Sequence, residues 1–129
     1  MLTTGTISIY AIPGINQSVF VAATKIATSH FGVAKEHLCS SSRNKPVVLA
    51  RQFCLAMVNL SGYSTTVTGK AFNRDHASVV HAKKQIANIL ETKYPHHDYN
   101  KLKHAIKEFA SYYKNVDLSR LRWDEENND

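Results

Sequence analysis

The sequence predicts an all-α fold, a helical bundle that contains a helix-turn-helix. Apolar residues repeat at helical spacing in several segments, and residues typical of helix starts and ends separate those segments. Only residues 6–12 alternate briefly in the manner of a strand. We divide the 129 residues into an N-terminal arm (residues 1–15), one helical domain (16–115) and an acidic, partly disordered tail (116–129).

The first half of the domain is predicted to hold three helices. The first spans residues 16–30, and its apolar face consists of Val19, Phe20, Ala23, Ile26 and Ala27. A short helix over residues 33–38 and a polar loop over 39–45 follow. Pro46 fits the first turn of the next helix, where its missing N–H is not needed. That helix, residues 46–60, is strongly apolar, and we expect it to be the most buried element.

A short helix, a tight turn and a longer helix follow in the second half. The short helix is predicted over residues 65–72, although its threonines are poor helix formers. The turn falls at Asn73-Arg74, because Asn tolerates the left-handed backbone that a tight turn needs. Asp75 can cap the following helix by accepting a bond from a free backbone N–H. This arrangement is a candidate helix-turn-helix.

Two long helices complete the domain, one over residues 75–94 and one over 98–114, with Pro95 between them. The inward face of the first is predicted to consist of Val79, Ala82, Ile86, Ile89 and Leu90. Lys83 and Lys84 are expected to lie off that face. The inward face of the second is predicted to consist of Leu102, Ile106, Phe109 and Tyr113, and its outward lysines are Lys101, Lys103 and Lys107.

The charge is unevenly distributed along the chain. Residues 1–115 hold fourteen Lys and Arg against five Asp and Glu, whereas residues 116–129 hold two against five. A basic body with an acidic tail favours a polyanionic partner, most simply nucleic acid. A soluble basic protein with no such partner would have the same composition. No apolar run approaches the length of a membrane span, and the N-terminus does not resemble a signal peptide.

The start of the helix at residue 75 suits the DNA major groove. It presents His76, Ala77 and Ser78, which are small or polar. The free N–H groups and dipole of a helix start favour phosphate, and short side chains let base edges approach. The alternative interpretation is an ordinary capped helix with solvated polar residues.

Together these residues resemble the C-terminal DNA-binding domain of the bacterial replication initiator DnaA. The resemblance rests on Arg51-Gln52 near a helix start, on Gly69-x-Ala71-Phe72, and on Arg74-Asp75-His76-x-Ser78-Val79-x-His81-Ala82. The order of elements matches over roughly residues 16–114. The resemblance implies a helix-turn-helix bundle of the DnaA C-terminal, Trp-repressor-like type.

The resemblance also implies which residues contact DNA. The family's base-reading positions correspond to Asp75, His76, Ala77 and Ser78. Its minor-groove arginine corresponds to Arg43, and its phosphate-holding positions correspond to Arg51 and Gln52. Further phosphate candidates are His81 and Lys84. The predicted site also includes Lys45 of the basic loop and Arg74 of the turn.

Three departures from the family pattern stand out. Asn73 replaces the family's Gly-Gly, Ala77-Ser78 replaces Thr-Thr, and the loop around Arg43 is less basic. We therefore expect a target site that differs from the family's own. The chain also contains no G-x-x-x-x-G-K-[ST] motif, so we expect no bound nucleotide and no ATPase activity.

Other chemistry is not indicated. The seven histidines show no recognised zinc spacing with cysteine, and no nucleophile or carboxylate pair indicates catalysis, so we expect no metal, no cofactor and no enzyme. Cys39 and Cys54 are expected to be free thiols.

We expect a monomeric, sequence-specific binder of double-stranded DNA that regulates replication or transcription. It would be cytoplasmic and associated with a bacterial or phage nucleoid. The alternative is a helical protein-interaction adaptor with the acidic tail as its hook. RNA binding is less favoured, because the major groove of double-stranded RNA is too narrow for a helix.

Overall fold

The computed structural model describes residues 17–121, and every regular element in that range is helical. The elements are α1 (Gln17–Phe31), a 3-10 helix (Lys35–Cys39), α2 (Lys45–Leu60), α3 (Thr65–Ala71), α4 (His76–Thr92) and α5 (His96–Tyr112). The predicted fold class and order of helices are confirmed, and each helix end lies within two residues of its predicted position. The N-terminal arm and residues 122–129 of the tail lie outside the described residues. No described helix combines the length and the apolar character that crossing a membrane requires.

Helix α2 forms the centre of the bundle, as its sequence predicted. Twelve of its sixteen residues are buried, and it packs against every other helical element. Phe53 lies at its middle. The ring centroid of Phe53 is 5.8 Å from that of Phe31 in α1 and 6.3 Å from that of Phe109 in α5. Tilted and edge-to-face pairs of this kind stabilise an aromatic core.

The helix-turn-helix is attached to this core through Phe72. This residue directly follows α3 and is fully buried, and its ring centroid lies 5.1 Å from that of Phe20 in α1. The chain then turns at Asn73, which has the predicted left-handed backbone with φ of 60°. Asp75 caps α4 through a bond from the Ser78 amide, also as predicted. The local signals in the sequence therefore located the turn correctly.

The turn lies so close to α3 that only glycine fits at residue 69. A Cβ there would lie 2.7 Å from the carbonyl oxygen of Arg74 and 2.9 Å from that of Asp75. Both atoms belong to the backbone and cannot rotate away. Gly69 thus permits the close approach that sets the angle between α3 and α4.

Lys83 departs from its predicted position. The sequence placed it with Lys84 off the inward face of α4, but Lys83 is only 4% exposed, whereas Lys84 is exposed. Helix α4 packs against α2, α3 and α5, so its buried arc is wider than the apolar stripe. The long apolar stem of a lysine can cover such a surface.

The chain after α5 stays packed on the bundle up to residue 121. The amide of Asp117 donates to the carbonyl oxygen of Leu60 at 3.0 Å, and residues 119–121 form a helical turn. Leu121 is buried and lines a pocket together with Ala87 and Leu90 of α4. Residues 116–121, which the sequence-based division grouped with the tail, are therefore part of the packed structure.

Candidate nucleic-acid interface

The predicted base-reading residues lie at the exposed start of α4. His76 and Ala77 are exposed, Ser78 is partly exposed, and His81 and Lys84 are exposed further along the helix. The opposite side of the helix, with Val79, Ala82 and Ile86, is buried. Packing of α4 on the core thus leaves the predicted residues accessible to a partner.

The carboxylate of Asp75 is engaged in capping α4. Its Oδ1 atom accepts a bond from the Ser78 amide at 3.0 Å and one from the Ser78 hydroxyl at 3.1 Å. The bond from the amide, followed by that from the hydroxyl, holds the pKa of the Asp75 carboxyl below its usual range. Asp75 is therefore ionised at neutral pH.

Arg74 connects the turn to the polar loop before α2. Its Nη2 atom donates to the carbonyl oxygen of Ser40. Arg43 follows Ser40 by three residues, a length of chain that spans at most about 11 Å when extended. Arg43 is exposed. The structure therefore brings the loop that carries Arg43 next to the start of α4.

Arg51 holds the same loop from the side of α2. The residue is only 6% exposed. Its guanidinium donates to four backbone carbonyl oxygens, those of Leu38, Ser40 and Ser42 at 3.0 Å and that of His37 at 3.4 Å. Burial, followed by the nearby Arg74, lowers the pKa of the guanidinium, which nevertheless remains protonated. The implied contact between Arg51 and DNA phosphate stays a prediction.

The remaining predicted residues, Lys45 and Gln52, both belong to α2. Lys45 is exposed at the first position of α2, and Gln52 is partly exposed beside the buried Arg51. Lys45 therefore lies next to the polar loop, and Gln52 lies about two turns of α2 further along the helix.

No residue of α3 was among the predicted DNA contacts, but α3 forms one wall of an open concavity of about 590 Å³ at the start of α4. Its lining residues are Thr66, Lys70, Asn73, Arg74, Asp75, His76 and Ser78. Lys70 is exposed and adds a positive charge to this wall. Lys70 lies within the Gly69–Phe72 motif, and that position could have marked it as a candidate in the sequence.

The two cysteines form no disulfide, as expected. Cys39, expected in a loop, is buried at the end of the 3-10 helix, and Cys54 is fully buried in α2. Burial raises the pKa of both thiols, against the opposing effect of the Arg51 charge. Within residues 17–121, no three His, Cys, Asp or Glu side chains are grouped so that they could hold a metal ion.

Comparison with known proteins gives a family for this arrangement. Residues 23–86 match the family described as the bacterial dnaA protein helix-turn-helix. The chromosomal replication initiator protein DnaA of Bacteroides thetaiotaomicron is 36% identical over 69 residues, which cover 52% of this chain and 15% of that protein. The protein of the same name from Oenococcus oeni is 33% identical over 72 residues, which cover 54% and 16%.

The aligned part thus spans only about 15% of the length of these relatives. No solved structure matches the chain significantly. The matched range contains the loop at Arg43, the buried Arg51, the turn and the exposed start of α4. Through residues 23–86, this chain belongs to the bacterial DnaA helix-turn-helix family.

Proposed function

We propose that this chain binds double-stranded DNA at a specific sequence, with the start of α4 in the major groove and Arg43 in the adjacent minor groove. The bonds from Arg74 and Arg51 to the loop carry this proposal, because they fix the loop beside the start of α4. Major and minor grooves alternate along one side of a duplex. Two elements held together on one surface can therefore contact both grooves at once.

The charge of this surface supports a nucleic-acid partner. Arg43, Lys45, Lys70 and Lys84 are exposed cations on or beside the two elements. Asp75 is the single acid among the predicted site residues, and its carboxylate is bonded to Ser78. Cations that neutralise phosphates release counterions, and the resulting affinity falls steeply with salt. A narrow minor groove has an enhanced negative potential that attracts arginine.

For Arg51, the bonding pattern favours a positioning role. Its Nε and Nη2 atoms already donate to the loop, and little of the residue reaches the surface. We assign Arg51 to holding the loop that presents Arg43. Contacts to phosphate would then come from exposed neighbours such as Lys45 and from the partly exposed Gln52.

The proposed biological role is regulation of replication or transcription. The two relatives described above are named chromosomal replication initiators, but the aligned part spans only about 15% of their length. Contacts of the proposed kind need neither a nucleotide nor a catalytic group. We therefore propose that the helix-turn-helix part binds DNA as a monomer, without ATP hydrolysis, at a site without two-fold symmetry.

Selection from random DNA duplexes at near-physiological salt tests this proposal. One non-palindromic motif should be enriched. Arg43→Ala and His76→Ala should each reduce the preference for that motif over random DNA about tenfold, while thermal unfolding stays unchanged. Lys25→Ala is the matched control. It removes one charge from the groove between α1 and α5, away from the proposed interface, and should leave the preference intact.

Failure to enrich any motif would reject sequence-specific binding. The interpretation as a helical protein-interaction adaptor would then be favoured. Weak binding of every duplex, with a steep salt dependence but no preference, would likewise contradict the proposal, because phosphate contacts alone carry no sequence information.

A further inference from the structure

A pocket opens beside the second half of α4, away from the proposed base-reading residues. Its volume is about 330 Å³, and it is lined by Ala87, Leu90, Glu91 and Leu121. Ala87 and Leu121 are buried, Leu90 is partly exposed and Glu91 is exposed. All four residues follow residue 86, at which the family match ends. The pocket therefore combines an apolar wall with one exposed carboxylate.

The chain carries a side chain that matches this pocket. Leu121 is the last described residue, and Trp123 follows it by two positions. Two residues of extended chain span at most about 7 Å, so the side chain of Trp123 begins within reach of the pocket. An indole ring is large and apolar, and its single N–H donor needs an acceptor when the ring is buried. The apolar wall and the Glu91 carboxylate meet both requirements.

We propose that Trp123 occupies this pocket and thereby holds the acidic residues that follow it against the exposed side of α4, where they compete with DNA. Residues 124–129 contain four acids and no Lys or Arg. Lys84 precedes Ala87 by three positions and Glu91 by seven, so all three lie on one side of α4. About 4.5 Å of helix separates Lys84 from Ala87, and residues 124–129 span up to about 20 Å. The acids therefore reach a lysine of the proposed interface.

The short connection favours the chain's own tail over a separate partner. An occupant that is joined to the pocket by two residues has a high effective concentration and loses little translational freedom on docking. A separate protein would have to bury about 800 Å² on each side, far more than four lining residues offer. The competition with DNA rests on the proposed function, whereas the occupation of the pocket by Trp123 does not.

The fluorescence of Trp123 tests the occupation of the pocket, because Trp123 is the only tryptophan of the chain. In the folded full chain, its emission should lie at a shorter wavelength than in the urea-unfolded chain, and acrylamide should quench it several-fold less. Glu91→Ala removes the acceptor and should shift the emission toward that of the unfolded chain. Glu36→Ala is the matched control: it removes an exposed carboxylate from the 3-10 helix and should leave the emission unchanged.

Binding to random duplexes tests the competition. Trp123→Ala releases the tail but keeps its four acids, and it should raise the affinity for random duplexes about threefold, as expected for the loss of one exposed charge contact. The combined replacement Asp124→Asn, Glu125→Gln and Glu126→Gln should give at least the same gain and leave the emission of Trp123 unchanged. The two variants thus separate the anchor from the charge.

Equal emission in the folded and unfolded chains would overturn the occupation of the pocket by Trp123. Emission that depends on protein concentration would assign the pocket to the tail of a second copy and overturn it likewise. If selection returns a site but Trp123→Ala leaves the affinity for random duplexes unchanged, the competition is overturned and the proposed function stands. If selection returns no site, the proposed function fails, and the emission still decides whether Trp123 occupies the pocket.

Discussion

Replacement of Arg51 by methionine should destabilise the loop at residues 40–44 and the domain beneath it. Methionine fills much of the same volume but donates no hydrogen bond. The bond from Arg51 to the Leu38 carbonyl is buried, and those to Ser40 and Ser42 are partly buried. A buried acceptor that loses its donor costs about 1–3 kcal/mol, whereas partly buried carbonyls can be rehydrated and cost roughly 0.5 kcal/mol each.

The loss of the buried charge offsets part of this cost. The lowered pKa of Arg51 indicates that burial disfavours the charged guanidinium in the folded state. We therefore expect a net loss of about 2 kcal/mol in the free energy of unfolding. For a folded unit of this size, such a loss corresponds to a decrease in Tm of about 8 °C.

Urea and thermal unfolding measure this effect, with two control variants. Arg51→Lys keeps the charge but lacks the planar fork, so it should satisfy one or two of the carbonyls and give an intermediate loss. Arg43→Met makes the same chemical change at an exposed position of the same loop. Its free energy of unfolding should stay within about 0.5 kcal/mol of the original value.

The opposite pattern would refute the positioning role of Arg51. An arginine whose main task is to hold phosphate would leave the Tm unchanged when replaced. DNA affinity would instead fall uniformly across sequences, and the slope of log affinity against log salt would decrease by about one.

Three further outcomes follow from the helix-turn-helix and the core. Asp75→Ala should lower the Tm at neutral pH, because the cap of α4 is lost. The pKa of Asp75 is lowered in the folded state, so the carboxylate stabilises the fold above the ordinary Asp pKa, and this stabilisation is lost as the pH falls through the folded pKa. The difference in stability between Asp75→Ala and the original chain should therefore disappear in acid. Gly69→Ala should lower the free energy of unfolding in urea by about 2 kcal/mol although alanine is the better helix former, because the added Cβ meets the Arg74 backbone. Gly32→Ala is the control: its Cβ meets no atom within 4 Å, so it should lower the free energy of unfolding by only about 1 kcal/mol, through the positive φ of residue 32. Cys54 should react with a thiol reagent only as fast as the domain unfolds, and reaction at the rate of an exposed thiol would contradict its burial.

Features that depend on near neighbours in the chain were predictable from the sequence. The apolar periodicity located the helices, Asn73 marked the turn and Asp75 marked the start of α4, because each of these signals acts within a few residues. The central position of α2 also followed from its composition, since a helix that is apolar on most sides must be buried.

Contacts between distant segments were not predictable. The bond from Arg74 to Ser40 joins residues 34 positions apart, and the bonds from Arg51 depend on the path of the loop rather than on its residue types. The burial of Lys83 was missed because three elements surround α4, whereas periodicity describes one stripe.

The carbonyl oxygen of Ser40 receives bonds from both Arg51 and Arg74. Both arginines hold the loop through its backbone, so the side chain at residue 43 takes no part in keeping the loop in place. The same holds for residues 76 and 77 on α4, whose helix start is set by the cap at residue 75. Residues at the groove-facing positions can therefore be substituted without changing the contacts that hold the loop and the start of α4 in place. We expect that new target preferences can be grafted onto this domain by substituting a few surface positions, while Arg51, Arg74 and Gly69 are retained.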